Sequence, residues 1–119
     1  MSERFQEEIE MKYKISVIDS TTRSPHSAEE IAAIDEINLY MSERGYRVLA
    51  VGMESPESAT VFDNRGNSNL SHSGAFQKGE EFVSGFWVVD VPSEEVAIDL
   101  AKECSKACNR KVELRKIIG

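Results

Sequence analysis

Features that would assign this sequence to several common protein classes are scarce. Two of its 119 residues are cysteines, Cys104 and Cys108, four positions apart. That spacing fits neither a C-x-x-C redox motif nor a zinc site, which would need further ligands nearby. Adjacent turns of one helix are also poor disulfide partners. We therefore expect two small buried thiols and no metal.

Positive charge and long apolar runs are scarce as well. The 14 Lys and Arg residues against 21 Asp and Glu give a formal net charge of −7, which argues against nucleic acid as a partner because phosphate binding needs a basic face. No run approaches the ~20 apolar residues of a membrane span, and acidic residues 1–10 lack the apolar core of a signal peptide. We expect a cytoplasmic protein that binds neither nucleic acid nor membrane.

The rest of the chain reads as one domain, residues 11–119, behind an N-terminal appendage, residues 1–10. Alternating apolar residues predict a first strand from Met11 to Asp19. Ser27 and Glu30 form a capping box at the start of a helix, which Gly45 ends in a left-handed conformation. The apolar stripe of this helix is predicted to consist of Ile31, Ile34, Ile37 and Met41.

The remaining elements complete a repeated pattern. Two short strands flank Pro56, a tight turn lies at Gly66, and residues 82–91 form the strongest strand. Ser93 then caps a second helix, and an alternating strand follows. This order is βαββαβ with a small hairpin extension, which predicts an α+β fold of the ferredoxin-like plait type. We further expect the first strand and strand 82–91 to be parallel neighbours.

Strand 82–91 is apolar on both faces, unlike a strand with one face in water. The predicted faces are Val83, Trp87, Val89 and Val91 on one side, and Phe82, Phe86 and Val88 on the other. The helices can cover one face only, and leaving the other exposed would forfeit several kcal/mol at ~25 cal/mol per Å2. We therefore expect a homodimer through this sheet face.

The sequence resembles the YCII-related family, in the branch named for its Asp-Gly-Pro-Phe (DGPF) motif. The resemblance lies in "MKYKISVID", "GYRVLAVGM" and "EFVSGFWVVDVPSEEVAIDLA" and spans nearly all of residues 11–117. It implies a dimeric α+β barrel, in which two plaits pack sheet to sheet. Some relatives are similar to small lyase- or dehydrochlorinase-type enzymes, and others are associated with sigma-type transcription factors.

The chain departs from this family at the motif itself. It carries Ser73-Gly74-Ala75-Phe76 where the family has Asp-Gly-Pro-Phe. A serine hydroxyl without assistance is far too weak to replace the carboxylate as a general base. Any acid–base chemistry that uses this Asp in the family is therefore lost or relocated in this chain.

Two histidines are the candidate proton carriers, since imidazole titrates near neutral pH. His72 precedes Ser73, although neighbours in an extended segment point to opposite sides. His26 precedes the first helix, where Asp19 could orient it. With parallel strands the two histidines would lie at opposite ends of the sheet. Each has the alternative interpretation of an ordinary exposed side chain.

The sequence thus supports two main functional hypotheses, neither of which uses a cofactor. The glycines at 74, 79 and 85 form no phosphate-binding pattern. The first is a homodimer that binds a small organic ligand beside residues 71–80. The second is a cofactor-independent lyase or isomerase that uses His72 or His26. A third, a partner of a sigma-type transcription factor, is implied by the resemblance alone.

Overall fold

The computed structural model describes residues 11–119, so the predicted appendage lies outside the described residues. Its regular elements are, in chain order, β1 Lys12–Ser20, α1 Ala28–Glu43, β2 Arg47–Gly52, β3 Thr60–Asp63, β4 Leu70–Ser73, β5 Glu81–Asp90, α2 Glu94–Cys108 and β6 Lys111–Lys116. Short 3₁₀ turns lie at Pro56–Ser58 and Arg65–Asn67.

The six strands of the described residues divide into two sheets. β2, β5, β1 and β6 form an antiparallel sheet in that spatial order, and β3 and β4 pair as a separate antiparallel hairpin. With two helices packed on it, this arrangement is an α+β fold. No helix in residues 11–119 is long and apolar enough to cross a membrane.

The expected parallel pairing of the first strand with strand 82–91 is wrong, because β1 and β5 are antiparallel. The helical crossover through α1 makes β2 parallel to β1. β5 then lies between these two strands and runs in the opposite direction to both. The end of β1 therefore lies beside the start of β5, where the Thr21 amide donates to the Glu80 carbonyl at 2.9 Å. The segment before β5 and the segment after β1 thus meet at one end of the sheet.

Both helices begin at the predicted caps. The Ser27 hydroxyl accepts from the Glu30 amide at 3.1 Å, and the Glu30 carboxylate accepts from the Ser27 amide at 3.2 Å, which completes the capping box. Gly45, at φ +73°, follows the end of α1 as predicted. The Ser93 hydroxyl accepts from the Val96 amide at the start of α2.

The core lies between the helices and one face of the sheet. Its buried apolar residues are Tyr13, Ile15, Val17, Met41, Trp87, Val89, Val91, Ala97, Leu100, Ala101, Cys104 and Cys108. Both thiols are free and buried, as predicted, and burial raises the pKa of Cys104 to about 12.

The prediction that Ile31 belongs to the apolar stripe of α1 is wrong. Around the helix Ile31 lies about 90° from the centre of Ile34, Ile37 and Met41, and its side chain is exposed.

A β-bulge in β5 changes which side chains face the helices. The register passes from Val17 opposite Gly85 to Ile18 opposite Val83, so β5 carries one extra residue there. A shift of one residue moves a side chain to the other face. Val83 therefore lies on the face away from the helices and Phe82 on the helix side, which reverses their predicted positions.

Glycine at position 85, next to the bulge, also has a steric reason. A Cβ at this position would lie 2.6 Å from the Val51 carbonyl oxygen and 3.1 Å from the Gly52 Cα, both backbone atoms of β2. Real Cβ contacts are not this short, so β2 and β5 approach closely only because residue 85 lacks a side chain. Gly85 therefore lies both beside the bulge and at the close approach of the two strands.

The sheet face away from the helices, called the outer face below, is apolar along β2 and β5. Leu49 and Val51 are exposed, and Phe86 and Val88, which lie opposite them in the register, are half-buried. The Lys14 ammonium lies over the Phe86 ring, 5.0 Å from its centroid. No other described element covers these residues.

Candidate functional site

A cavity of about 400 Å3 opens between α1 and the end of the sheet at which β1 stops and β5 starts. Its walls combine apolar and polar groups, as small-molecule sites do. The lining residues are Val17, Asp19, His26, Ile34, Asn38, Ala50, Val51, Gly52, Ser84, Gly85, Phe86, Trp87 and Cys108. Two predicted site residues, His26 and Asp19, are among them.

The first turn of α1 fixes His26. Its Nδ1 lies 3.0 Å from Glu30 Oε1, the oxygen that also accepts from the Ser27 amide. An ionised carboxylate can only accept, so Nδ1 carries the proton and Nε2 of the neutral ring is left as an acceptor. The hydrogen bond from His26 is the main cause that lowers the pKa of Glu30. Glu30, the second member of the capping box, thus also orients the imidazole.

A buried arginine joins this turn to β1. The Arg110 side chain is 3% exposed, and its Nε donates to Asp19 Oδ1 at 3.1 Å. Its Nη1 lies 3.7 Å from Glu30 Oε1, and its Nη2 donates to the Ser24 carbonyl at 2.9 Å. Arg110 therefore connects the end of β1, the β1–α1 connection and the start of α1.

A second polar pair crosses the cavity between α1 and β5. The Trp87 indole N–H donates to Asn38 Oδ1 at 2.9 Å, and Asn38 Nδ2 donates to the Ile34 carbonyl at 3.0 Å. Each group satisfies the other in a partly buried setting, where an unpaired polar atom would be costly. The pair fixes the Trp87 ring as one wall of the cavity.

The predicted site residues divide into two locations. His72 and Ser73 lie exposed on β4, opposite Val61 and Thr60 of the hairpin, and neither lines the cavity. Their successive positions in a strand agree with the expectation that they point to opposite sides. The structure therefore gathers His26 and Asp19 at the cavity and leaves His72 and Ser73 outside it.

The partners of the two cavity residues differ from the sequence-based pairing. Asp19 bonds Arg110, and His26 bonds Glu30, so the proposed Asp19–His26 pair is replaced by a network through the arginine. The i, i+4 spacing of His26 and Glu30 is a signal that sequence inspection could have used. Arg110 gives no such signal, because it looks like an ordinary cation at the end of a helix.

The described residues contain no group of His, Cys, Asp and Glu side chains that could hold a metal ion. The polar groups of the site are a histidine, two carboxylates, an amide and a buried guanidinium. Such groups can bind a polar substituent of a ligand and move a proton.

Comparison with known proteins does not assign the chain to a family. No protein-family model matches it, and no curated protein matches it significantly.

Proposed function

We propose that the protein binds a small organic molecule in the His26 cavity. The observation that carries this proposal is the presence of His26, held by Glu30, in the wall of a 400 Å3 cavity. The ligand site therefore moves from residues 71–80, where the sequence placed it, to the β1–α1 end of the sheet. Glu80 still borders this region through its bond to Thr21.

The lining defines the kind of ligand. Val17, Trp87 and Ile34 offer an apolar surface, while His26 and Asn38 offer hydrogen bonds. The volume is near the lower end of the ~300–1,000 Å3 range of ligand pockets. A small ring or branched apolar body with one hydroxyl or carbonyl group fits this chemistry.

A thermal-shift screen of small metabolites tests this proposal, because a ligand that binds the native state raises the melting temperature by mass action. Hits should stabilise the wild type and His72→Ala but not His26→Ala. The two variants each remove one imidazole, so His72→Ala is the matched control. A hit that stabilises His26→Ala as much as the wild type would refute binding at this cavity.

Catalysis by proton transfer is the second candidate function. The specific observation in its favour is the hydrogen bond from His26 Nδ1 to Glu30, because a carboxylate that holds the ring leaves Nε2 free to accept a proton. A lyase or isomerase reaction would use Nε2 to remove a proton beside a carbonyl or leaving group. The Ser73 position contributes nothing to this arrangement.

The catalytic candidate is tested on any ligand that the screen identifies. We expect His26→Gln to abolish turnover while Glu30→Gln lowers kcat with a smaller effect on KM, since Glu30 orients the ring. His72→Gln should retain wild-type turnover. Binding without turnover by the wild type would reject this candidate and leave the binding proposal intact.

We also propose that the chain is a YCII-like ferredoxin plait that forms a homodimer through the outer face. The support is the exposed apolar surface of β2 and β5, together with a thickness of 18 Å, which corresponds to a single helix layer on a single sheet layer. A second sheet on the outer face would bury these side chains.

The mass in solution tests the dimer. Val51, 40% exposed on the outer face, and Ile98, 38% exposed on α2, form a matched pair. Val51→Lys should yield a monomer by light scattering at micromolar concentration, whereas Ile98→Lys should keep the wild-type dimer mass. A monomeric wild type would reject the dimer without affecting the cavity proposal.

A further inference from the structure

A groove of about 830 Å3 runs between α1 and α2, and it shares no residue with the His26 cavity. Because β1 and β5 are antiparallel, the helices that follow them start from opposite ends of the sheet and run antiparallel. The groove extends along α1 from Ala33 to Glu43. At 1.5 Å per residue this is about 15 Å, the length of roughly three helical turns.

The floor and one wall of the groove are apolar. Leu39 and Tyr40 line it and remain 59% and 42% exposed. The other apolar lining residues are Ala33, Ile37, Tyr46, Val96, Leu100 and Ala107. Small side chains at several of these positions let another backbone approach closely, as ridges-into-grooves packing requires.

The rim of the groove is acidic. Its carboxylates are Glu36, Glu43, Asp99 and Glu103, and Lys106 is the one cation among the lining residues that the structure describes. Arg44 lies just outside and stacks on Tyr40, with its guanidinium 3.6 Å from the ring centroid. The Tyr40 ring therefore already accommodates a cation, and the rim as a whole attracts positive charge.

We propose that this groove binds a basic amphipathic helix of a partner protein, about three turns long. Apolar side chains at i, i+3, i+4 and i+7 would enter the groove, and flanking Lys or Arg side chains would pair with the rim carboxylates. A second copy of the chain would bring the same carboxylates against one another. Residues 1–10, with four Glu and one Arg, carry the wrong charge too.

The test measures the fluorescence anisotropy of labelled synthetic peptides of about 14 residues on addition of the whole protein. The probe has Leu at the helical spacing and Lys elsewhere; one control has the same composition with Leu and Lys alternating, and another replaces Lys with Glu. We expect saturable binding of the probe, at least about ten-fold weaker binding of either control, and weakening with salt. Equal binding of the alternating peptide would overturn the proposal.

Matched variants assign the binding to the groove. Leu39→Ser should weaken probe binding about ten-fold, whereas Ile31→Ser, at a position on α1 that is also about half exposed but lies outside the groove, should leave it unchanged. Glu36→Lys should weaken it further than Asp35→Lys, which makes the same change in net charge beside the groove. Circular dichroism confirms that each variant is folded. Equal effects within either pair would refute groove binding in favour of general attraction to an acidic protein.

Discussion

Arg110 provides the sharpest test of how the site is built. It is a buried cation whose guanidinium contacts Asp19, Glu30 and the Ser24 carbonyl at once. Replacing it by alanine removes these contacts, together with its hydrogen bonds to the Cys108 and Asn109 carbonyls. The carboxylate of Asp19, whose side chain is 20% exposed, is then left without its cationic partner. Breaking a buried pair by removing one member costs about 3–5 kcal/mol.

The part-exposure of Asp19 lets water replace some of the lost interaction, so we expect Arg110→Ala to lower the free energy of unfolding by about 3 kcal/mol, at the lower end of that range. Arg115→Ala is the control, because Arg115 bonds Glu113 on the surface with both side chains more than half exposed. An exposed pair of this kind contributes about 0–1 kcal/mol.

Urea unfolding at one protein concentration, followed by far-ultraviolet circular dichroism, measures both variants. Arg110→Lys should fall between the wild type and Arg110→Ala, because an ammonium keeps the charge but cannot reproduce the planar set of donors. A loss below about 1 kcal/mol for Arg110→Ala, with an unchanged denaturant slope, would refute the role of this arginine as the connection between β1 and α1.

Three further predictions follow from the local structure. Gly85→Ala should destabilise the fold by about 1–3 kcal/mol in urea unfolding because its Cβ meets backbone, whereas Gly52→Ala, whose Cβ would have an ordinary 3.9 Å contact, should have a much smaller effect. The pKa of Glu30 is lowered in the fold, so its contribution to stability is present above the usual value of 4.5 and is lost as pH falls below it; acid titration of unfolding should show a flatter profile for Glu30→Gln. Burial raises the pKa of both Cys104 and Cys108, so a thiol reagent at pH 8 should modify them only as fast as the protein unfolds, and rapid labelling of the native protein would contradict this.

Much of the local structure follows from short-range sequence signals. The Ser27–Glu30 capping box, the Ser93 cap and the turn glycine at Gly66 are set by contacts within a few residues, and the structure has all three. Burial of the two thiols follows from their position on the apolar stripe of a helix. Strand β5 was identifiable because its aromatic and β-branched residues favour extended backbone.

Only the tertiary structure shows that β1 and β5 pair in an antiparallel direction and which residues come together at the His26 cavity. Composition does not distinguish antiparallel from parallel neighbours, and the extra residue that exchanges Phe82 and Val83 is defined only relative to β1. Asp19 and Arg110 are 91 positions apart, so no local pattern links them. The sequence determined the elements and their ends because those depend on near neighbours, whereas the His26 cavity exists because the fold brings distant segments to one end of a sheet.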